Sequence, residues 1–396
     1  MASTQSVDQQ GTSIPFYRDE RVLRIIAQIV STVIIVGLLV LALLNFLQAA
    51  EARNMTLTFG FLKEAAGFPI SNPPVEYEPS MSYGRAFYVG LVNTLLVSVT
   101  GVIFATILGT LVALARLSSN WLLSRIALAY IEFNRNIPLL VLLFILYFVV
   151  FGQLPQVKES IVWPGPIYFN RRGIYITWPR LTETGMPFVI LLSVGIVFAI
   201  IAFTVLRRRR EISGQNTYYL QISVAIVIVS AAIGWILSGG SPFQLSTPAL
   251  DGFNFKGGLR LTPEFAGMFV GLTTYTAAFI AEVVRAGIQA VDRGQIEAAR
   301  AVGLSTLQVL SLVVMPQALR VIIPPMISQY LNLTKNSSLA LAIGFQDVFR
   351  VGKITINQAG RAVPVFVLIM LTYLTLSLFT SLVLNSYNRR IQFETR

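Results

Sequence analysis

The sequence predicts an all-α polytopic membrane protein with about eight transmembrane helices, and three observations lead there. Hydrophobic residues make up 55% of the 396 positions against 12% charged, with a mean hydropathy of +0.69, which is too little charge for a soluble surface on a chain of this size. The apolar residues come in runs of about 20, the length that crosses a hydrocarbon core. The basic residues behind the net charge of +12 gather just outside those runs, the pattern of membrane topogenesis and not of nucleic-acid binding.

The runs lie at 25–47, 88–115, 137–151, 187–206, 219–238, 265–286, 320–343 and 363–385. The first follows Arg18, Arg21 and Arg24 but exceeds the ~7–15 apolar residues of a signal peptide, so it reads as a retained anchor. Arg116, Arg125 and Arg135, and then the run Arg207 to Arg210, mark two cytoplasmic connections. Alternation then places the N-terminal segment 1–24, the 287–319 connection and the tail with Arg389 and Arg390 in the cytoplasm. The stretches 48–87, 152–186 and 239–264 fall outside. The 344–362 connection, also expected outside, carries Arg350, Lys353 and Arg361 against the rule, which leaves a re-entrant seventh segment as an alternative. Segment 152–186, with Trp163, Pro164, Pro166, Tyr168, Phe169, Tyr175, Trp178 and Pro179, suits an ordered loop at headgroup level.

Several function classes are excluded. With no Cys and no His, the chain lacks thiol chemistry, haem attachment, Cys/His zinc sites and Ser-His or Cys-His catalysis. No nucleophile–base pair or metal-ligand cluster stands out. Nothing matches G-x-x-x-x-G-K-[ST], so the chain has no P-loop with which to hydrolyse ATP.

Between spans six and seven lies GQIEAARAVGLSTLQVLSLVVMPQALRVIIPP. A short Ala-rich helix is expected around Glu297 to Val302, ending near Gly303. Ala298, Ala299 and Ala301 keep one surface thin, and Glu297 and Arg300 stand at an i, i+3 spacing able to bond across a contact. Gly303 can take positive φ, and Pro316 limits continuation of the second stretch. On these residues alone an ordinary amphipathic surface helix fits equally well.

The spacing resembles the cytoplasmic loop of importer-type ABC permeases: EAA, three residues, Gly, nine residues, a hydrophobic, any residue, a hydrophobic, Pro. Glu297, Ala298, Ala299, Gly303, Val313, Met315 and Pro316 fill it, with Val and Met where Ile and Leu are usual. Further stretches resemble the polar amino-acid branch of these permeases: 90–95 (GLVNTL), 134–140 (NRNIPLL), 275–287 (YTAAFIAEVVRAG), 316–325 (PQALRVIIPP) and 333–339 (LTKNSSL). The extra first span and the insertion resemble the enlarged Q-type permease subunit of broad-specificity L-amino-acid importers.

The resemblance implies a transmembrane subunit that performs no covalent chemistry and holds no cofactor, ATP and Mg being bound by two partner ABC ATPase subunits. Glu297, Ala298, Ala299, Arg300, Gly303 and Pro316 would couple to them. The other implied partners are a homologous permease subunit in a heterodimer, a periplasmic amino-acid-binding protein, L-amino acids and membrane lipid, with no nucleic acid. The implied location is a bacterial inner membrane, with both termini cytoplasmic. An ion-coupled secondary amino-acid transporter is the alternative. The domains read as 1–24 cytoplasmic, 25–47 extra helix, 48–87 periplasmic loop, 88–151 first part of the core, 152–264 insertion with two extra helices, and 265–390 second part of the core.

Within the seventh span, Lys335 is followed by Asn336, Ser337 and Ser338. A mid-bilayer charge costs roughly 2.5–3.5 kcal/mol on insertion scales, so the cluster is expected to face the bundle interior. There it could meet a solute carboxylate, or serve as a polar clamp between helices. Asn93 and Glu282, with their neighbours Thr94 and Arg285, are the other polar core residues.

Overall fold

The computed structural model describes residues 20–52 and 58–391; most of segment 1–24, including Arg18, lies outside the described residues. Among those described, seven helices are long and apolar enough to cross a membrane, and an eighth crossing exists if one bent pair is counted as a span. The pair is α3 (Trp121–Asn136) and α4 (Leu139–Phe144), the latter continued by a π-helical turn to Phe151. They meet at 104°, so the expected short third span is the second arm of a broken element. Pro138 makes the bend: a residue before proline is pushed out of the helical region, and Ile137 is extended at φ −98° and ψ 132°.

The core is built from α2 (Tyr83–Arg116), α7 (Pro263–Gln289) and α10 (Met315–Asn336). Small residues let these backbones approach closely. A Cβ on Gly109 would press on Ile280 and, at 2.8 Å, on the Ala277 carbonyl; one on Gly287 would strike Ile322. Leu333 of α10 fills the space beside Gly101 of α2. Burial separates core from periphery: 61% of the central stretch of α7 is buried, against 11% each for α5 (Met186–Ser213) and α6 (Tyr219–Leu237) and none for α1 (Glu20–Ala52). The α5–α6 hairpin packs on itself, Gly195 against Ser230 and Gly234 against Phe188. It leaves its other faces apolar and exposed, as lipid contact requires.

The 152–185 and 239–262 stretches go beyond an ordered loop, because they pair with each other. β1 (Ile161–Trp163), β2 (Ile167–Asn170), β3 (Gly173–Ile176) and β8 (Leu259–Leu261) form an antiparallel sheet. β4 (Trp178–Leu181) pairs with β5 (Phe243–Ser246), and β6 (Ala249–Asp251) with β7 (Asn254–Lys256). The two strand sets close across the α5–α6 hairpin, which brings both of its connections to one end of the molecule.

The same end carries residues 58–82, packed through Phe61, Phe68 and Tyr77 on Val348, Val351 and Val365. The 344–362 connection is not a plain loop either. It contains α11 (Val348–Ala359), whose buried positions Val348, Val351 and Thr355 repeat at helical spacing before α12 (Ala362–Ile391). Arg350 donates from Nη1 to the Leu341 carbonyl at 3.1 Å, so one of the three basic residues there caps the preceding helical run. That run extends from Thr306 to Ile343.

Candidate functional site

The loop between α7 and α10 is assembled from short, strongly capped pieces. Asp292 accepts from the Gly294 amide at 2.6 Å and starts α8 (Arg293–Ala301), satisfying an amide that a helix start leaves bare. Gly303 then ends it in the left-handed region, φ +84°, with nothing within 4 Å of where a Cβ would stand. The Gly303 amide bonds the Arg300 carbonyl (2.9 Å) and the Leu304 amide bonds that of Ala299 (3.2 Å), a closure that a left-handed residue permits. Ser305 and Gln308 form a reciprocal capping box that opens α9 (Thr306–Gln308).

Ala299 is buried, turned into the fold beside Val309, whereas Glu297, Ala298, Arg300 and Ala301 are exposed. The thin surface therefore comes from Ala298 and Ala301, and Ala299 is what lets α8 lie close to its own chain. Pro316 does not end the second stretch. Residues Val309–Val314 open into a π-helical turn and Pro316 follows it in the first turn of α10, so the wider turn carries the helix past a residue that has no amide hydrogen. The elbow is at Gly303 alone. Two residues that sequence reading passed over flank it: Val302 and Leu307, 77% and 78% exposed. Their signal was in the sequence, as apolar residues on either side of a glycine turn in a connection expected to face water.

The polar residues at the other end do not form one group. Lys335 is exposed, contrary to the expectation that it faces the interior of this chain, because α10 buries Ile322, Met326, Ile327, Leu333 and Thr334, and Lys335 falls outside that stripe. Ser337 is the residue that turns inward, fully buried and donating to the Thr334 carbonyl at 2.8 Å. Ser338 donates to the Lys335 carbonyl at 2.8 Å, and Asn336 is half-buried. Glu282 lies well away on α7 and pairs with Arg285, Oε2 to Nη2 at 2.7 Å.

Asn93 belongs to a buried polar hub whose centre, Asp347, was not singled out. The Asp347 side chain is wholly buried. It caps α11 by accepting from the Arg350 amide and accepts from the Tyr373 hydroxyl on Oδ2, both at 2.9 Å. Tyr373 reaches Ser337 Oγ at 3.4 Å. Thr94 Oγ1 accepts from the Val348 amide, Asn93 donates to the Gln346 carbonyl, and Gln346 Nε2 donates to the Pro69 carbonyl. Burial pushes the Asp347 carboxyl up to about 6, against hydrogen bonds that pull it down. The hub joins α2, α11, α12 and the 58–82 segment, so Asn93 is committed to packing. An acid set among apolar residues, in a chain with 18 acids, was the available clue. Among the described residues no cluster of acids could hold a metal ion.

A family model described as the binding-protein-dependent transport system inner membrane component matches residues 101–393. The general L-amino acid transport system permease protein AapQ of Rhizobium johnstonii is 41% identical over 96% of this chain and 94% of its own. The putative amino-acid ABC transporter permease protein YhdX of Escherichia coli is 42% identical over 93% of this chain and 94% of its own. Among solved structures, an amino acid ABC transporter with histidines aligns over 78% of this chain and 95% of that one, at 22% identity and a TM-score of 0.46. Matched over most of its length by a family model and by full-length relatives, this polytopic chain belongs to the binding-protein-dependent transport system inner membrane components, the transmembrane permeases of ABC importers.

Proposed function

We propose that the chain imports L-amino acids across a bacterial inner membrane as one permease subunit of an ATP-driven complex, taking up the motion of separate ATPase subunits through Glu297–Pro316. The carrying observation is the loop itself: α8 projects Glu297, Ala298 and Arg300 beside an unstrained glycine turn, flanked by the exposed Val302 and Leu307. A helix end with charged and apolar groups together suits a cleft on a partner protein. Because α8 is tied to the π turn that opens α10, a push on it moves the core helix. Amino acids as cargo are supported by the names of the relatives that align end to end.

In this reading ATP and Mg belong to the ATPase partners, a homologous permease chain completes the path, and a periplasmic binding protein delivers the solute. Both termini are cytoplasmic. The test is Glu297→Lys in the reconstituted complex: uptake falls and the ATPase no longer co-purifies while the permease remains in the membrane. Full uptake without any ATPase would end the proposal.

Lys335, left exposed by this chain, and the half-buried Asn336 beside it are the residues proposed to meet a solute carboxylate; Ser337, Ser338, Asn93 and Glu282 support the path structurally. Lys335→Met, assayed for uptake affinity across charged and neutral amino acids, decides this. Unchanged affinity and selectivity would remove Lys335 from the path.

A further inference from the structure

Three cations at the β-sheet end converge on one cavity of about 390 Å³, lined by Gln156, Val157, Lys158, Arg171, Arg172 and Phe253. Each is held from behind. The Arg171 amide and Nε donate to the Pro155 and Leu154 carbonyls at 3.0 and 2.9 Å. The Arg172 carbonyl accepts twice from Arg260, at 3.1 Å each, and its amide donates to Asn170. Lys158 lies over the Phe253 ring, 5.4 Å from its centroid. Among the described residues no carboxylate forms an ion pair with any of the three, and the insertion's one ion pair, Lys256 with Asp251, lies elsewhere.

Like charges gathered without a counter-charge repel, and an incoming anion relieves that repulsion. The lining limits which anion. It has no acid to take an ammonium, so a free amino acid is poorly matched. Val157 and Phe253 are its only apolar residues, too few to hold lipid chains. Carboxylates carried on a protein surface match both properties, and arginine pairs with them in bidentate fashion. The location fits as well. Arg171 and Arg172 form the turn between β2 and β3, β3 pairs with β8, and β8 runs into α7; Leu154 follows directly on the segment ending at Phe151. The cavity thus stands over the ends of core elements, away from the peripheral hairpin.

We infer that this cavity is the docking pocket for an acidic edge of the solute-binding protein that delivers cargo to the outer face, an inference resting on the importer reading above. Lys158, Arg171 and Arg172 steer and register that protein over the core, a task for which charge complementarity at an interface rim is suited.

The test uses the full transporter in phosphatidylcholine liposomes, with and without phosphatidylglycerol, titrated with the solute-binding protein that drives uptake by the unsubstituted complex. Lys158→Glu with Arg172→Glu is expected to raise the half-saturating concentration of binding protein about tenfold at low salt and to flatten its salt dependence. The milder pair Lys158→Gln with Arg172→Gln gives an intermediate shift and guards against misfolding. An unchanged half-saturation and salt slope overturns the inference. So does a shift seen only with phosphatidylglycerol, which assigns the pocket to a lipid headgroup, or one reproduced by excess free glutamate, which assigns it to solute. If the unsubstituted complex takes up amino acids with no binding protein at all, the importer reading itself fails, and that is seen before any variant is made.

Discussion

Gly303 offers the sharpest perturbation, because the structure separates its steric and conformational costs. A Cβ there would meet nothing within 4 Å, so any penalty on substitution comes from φ +84° alone. An ordinary L-residue in that region costs roughly 1–2 kcal/mol, whereas Asn is more readily accommodated. If the turn must be present for the ATPase to seat, Gly303→Ala lowers its affinity by roughly five- to thirtyfold, that cost expressed as a ratio. Gly303→Asn gives a smaller loss. The assay is titration of purified ATPase subunit against the permease in nanodiscs, with uptake measured alongside. Equal affinities for Gly and Ala, or a loss for Asn as large as that for Ala, would refute the argument that backbone conformation at this turn sets the contact.

Leu307→Asp exchanges an apolar side chain for a charge at a position 78% exposed; the permease is expected to keep its thermal midpoint within a degree or so of the parent while ATPase co-purification drops, since surface changes rarely exceed ~0.5 kcal/mol. A matching fall in the midpoint would make Leu307 structural. Asp347 gives a pH dependence. Its folded carboxyl is raised to about 6, above ~3.9 for an unfolded chain, so the folded state holds that proton more tightly. The stability it contributes is fully present below ~4 and is lost as pH rises through about 6, at most ~3 kcal/mol for a two-unit shift. Asp347→Asn keeps a capping side chain and is expected to flatten the decline of thermal midpoint between about pH 4 and 6.5, the window set by the two carboxyl values; an unaltered slope would show that another group titrates.

Much of the loop between α7 and α10 was legible because its information is local. A glycine where the chain must turn left-handed, a serine three residues before a glutamine, and an Ala-rich stretch each act through neighbours a few residues away. Gly303 and α8 were read from such signals, and the α9 capping box, although not read, is written in the same local form. Pro316 misled for the opposite reason: whether a proline stops a helix depends on the turn before it, and here that turn is π-helical. Lys335 misled because a charge inside an apolar run says that it needs a partner or water, not in which direction it points.

The membrane class and seven of the apolar helices were legible in the sequence alone, since placing about 20 apolar residues in lipid outweighs any later packing choice, whereas the third run proved to be one arm of the bent α3–α4 pair. Tertiary structure alone decided which crossings form the core. α5 and α7 are both apolar runs, yet Gly109, Gly271 and Gly287 admit close neighbours along α7 while α5 meets mainly α6. It also decided that the 152–185 and 239–262 stretches pair with each other through β3–β8 and β4–β5, and that Asp347, Tyr373, Ser337 and Thr94, scattered over some 280 positions, meet at one hub. Those contacts join residues far apart in the chain, and the physics that selects them, close packing and the satisfaction of buried polar groups, acts only once the helices are together.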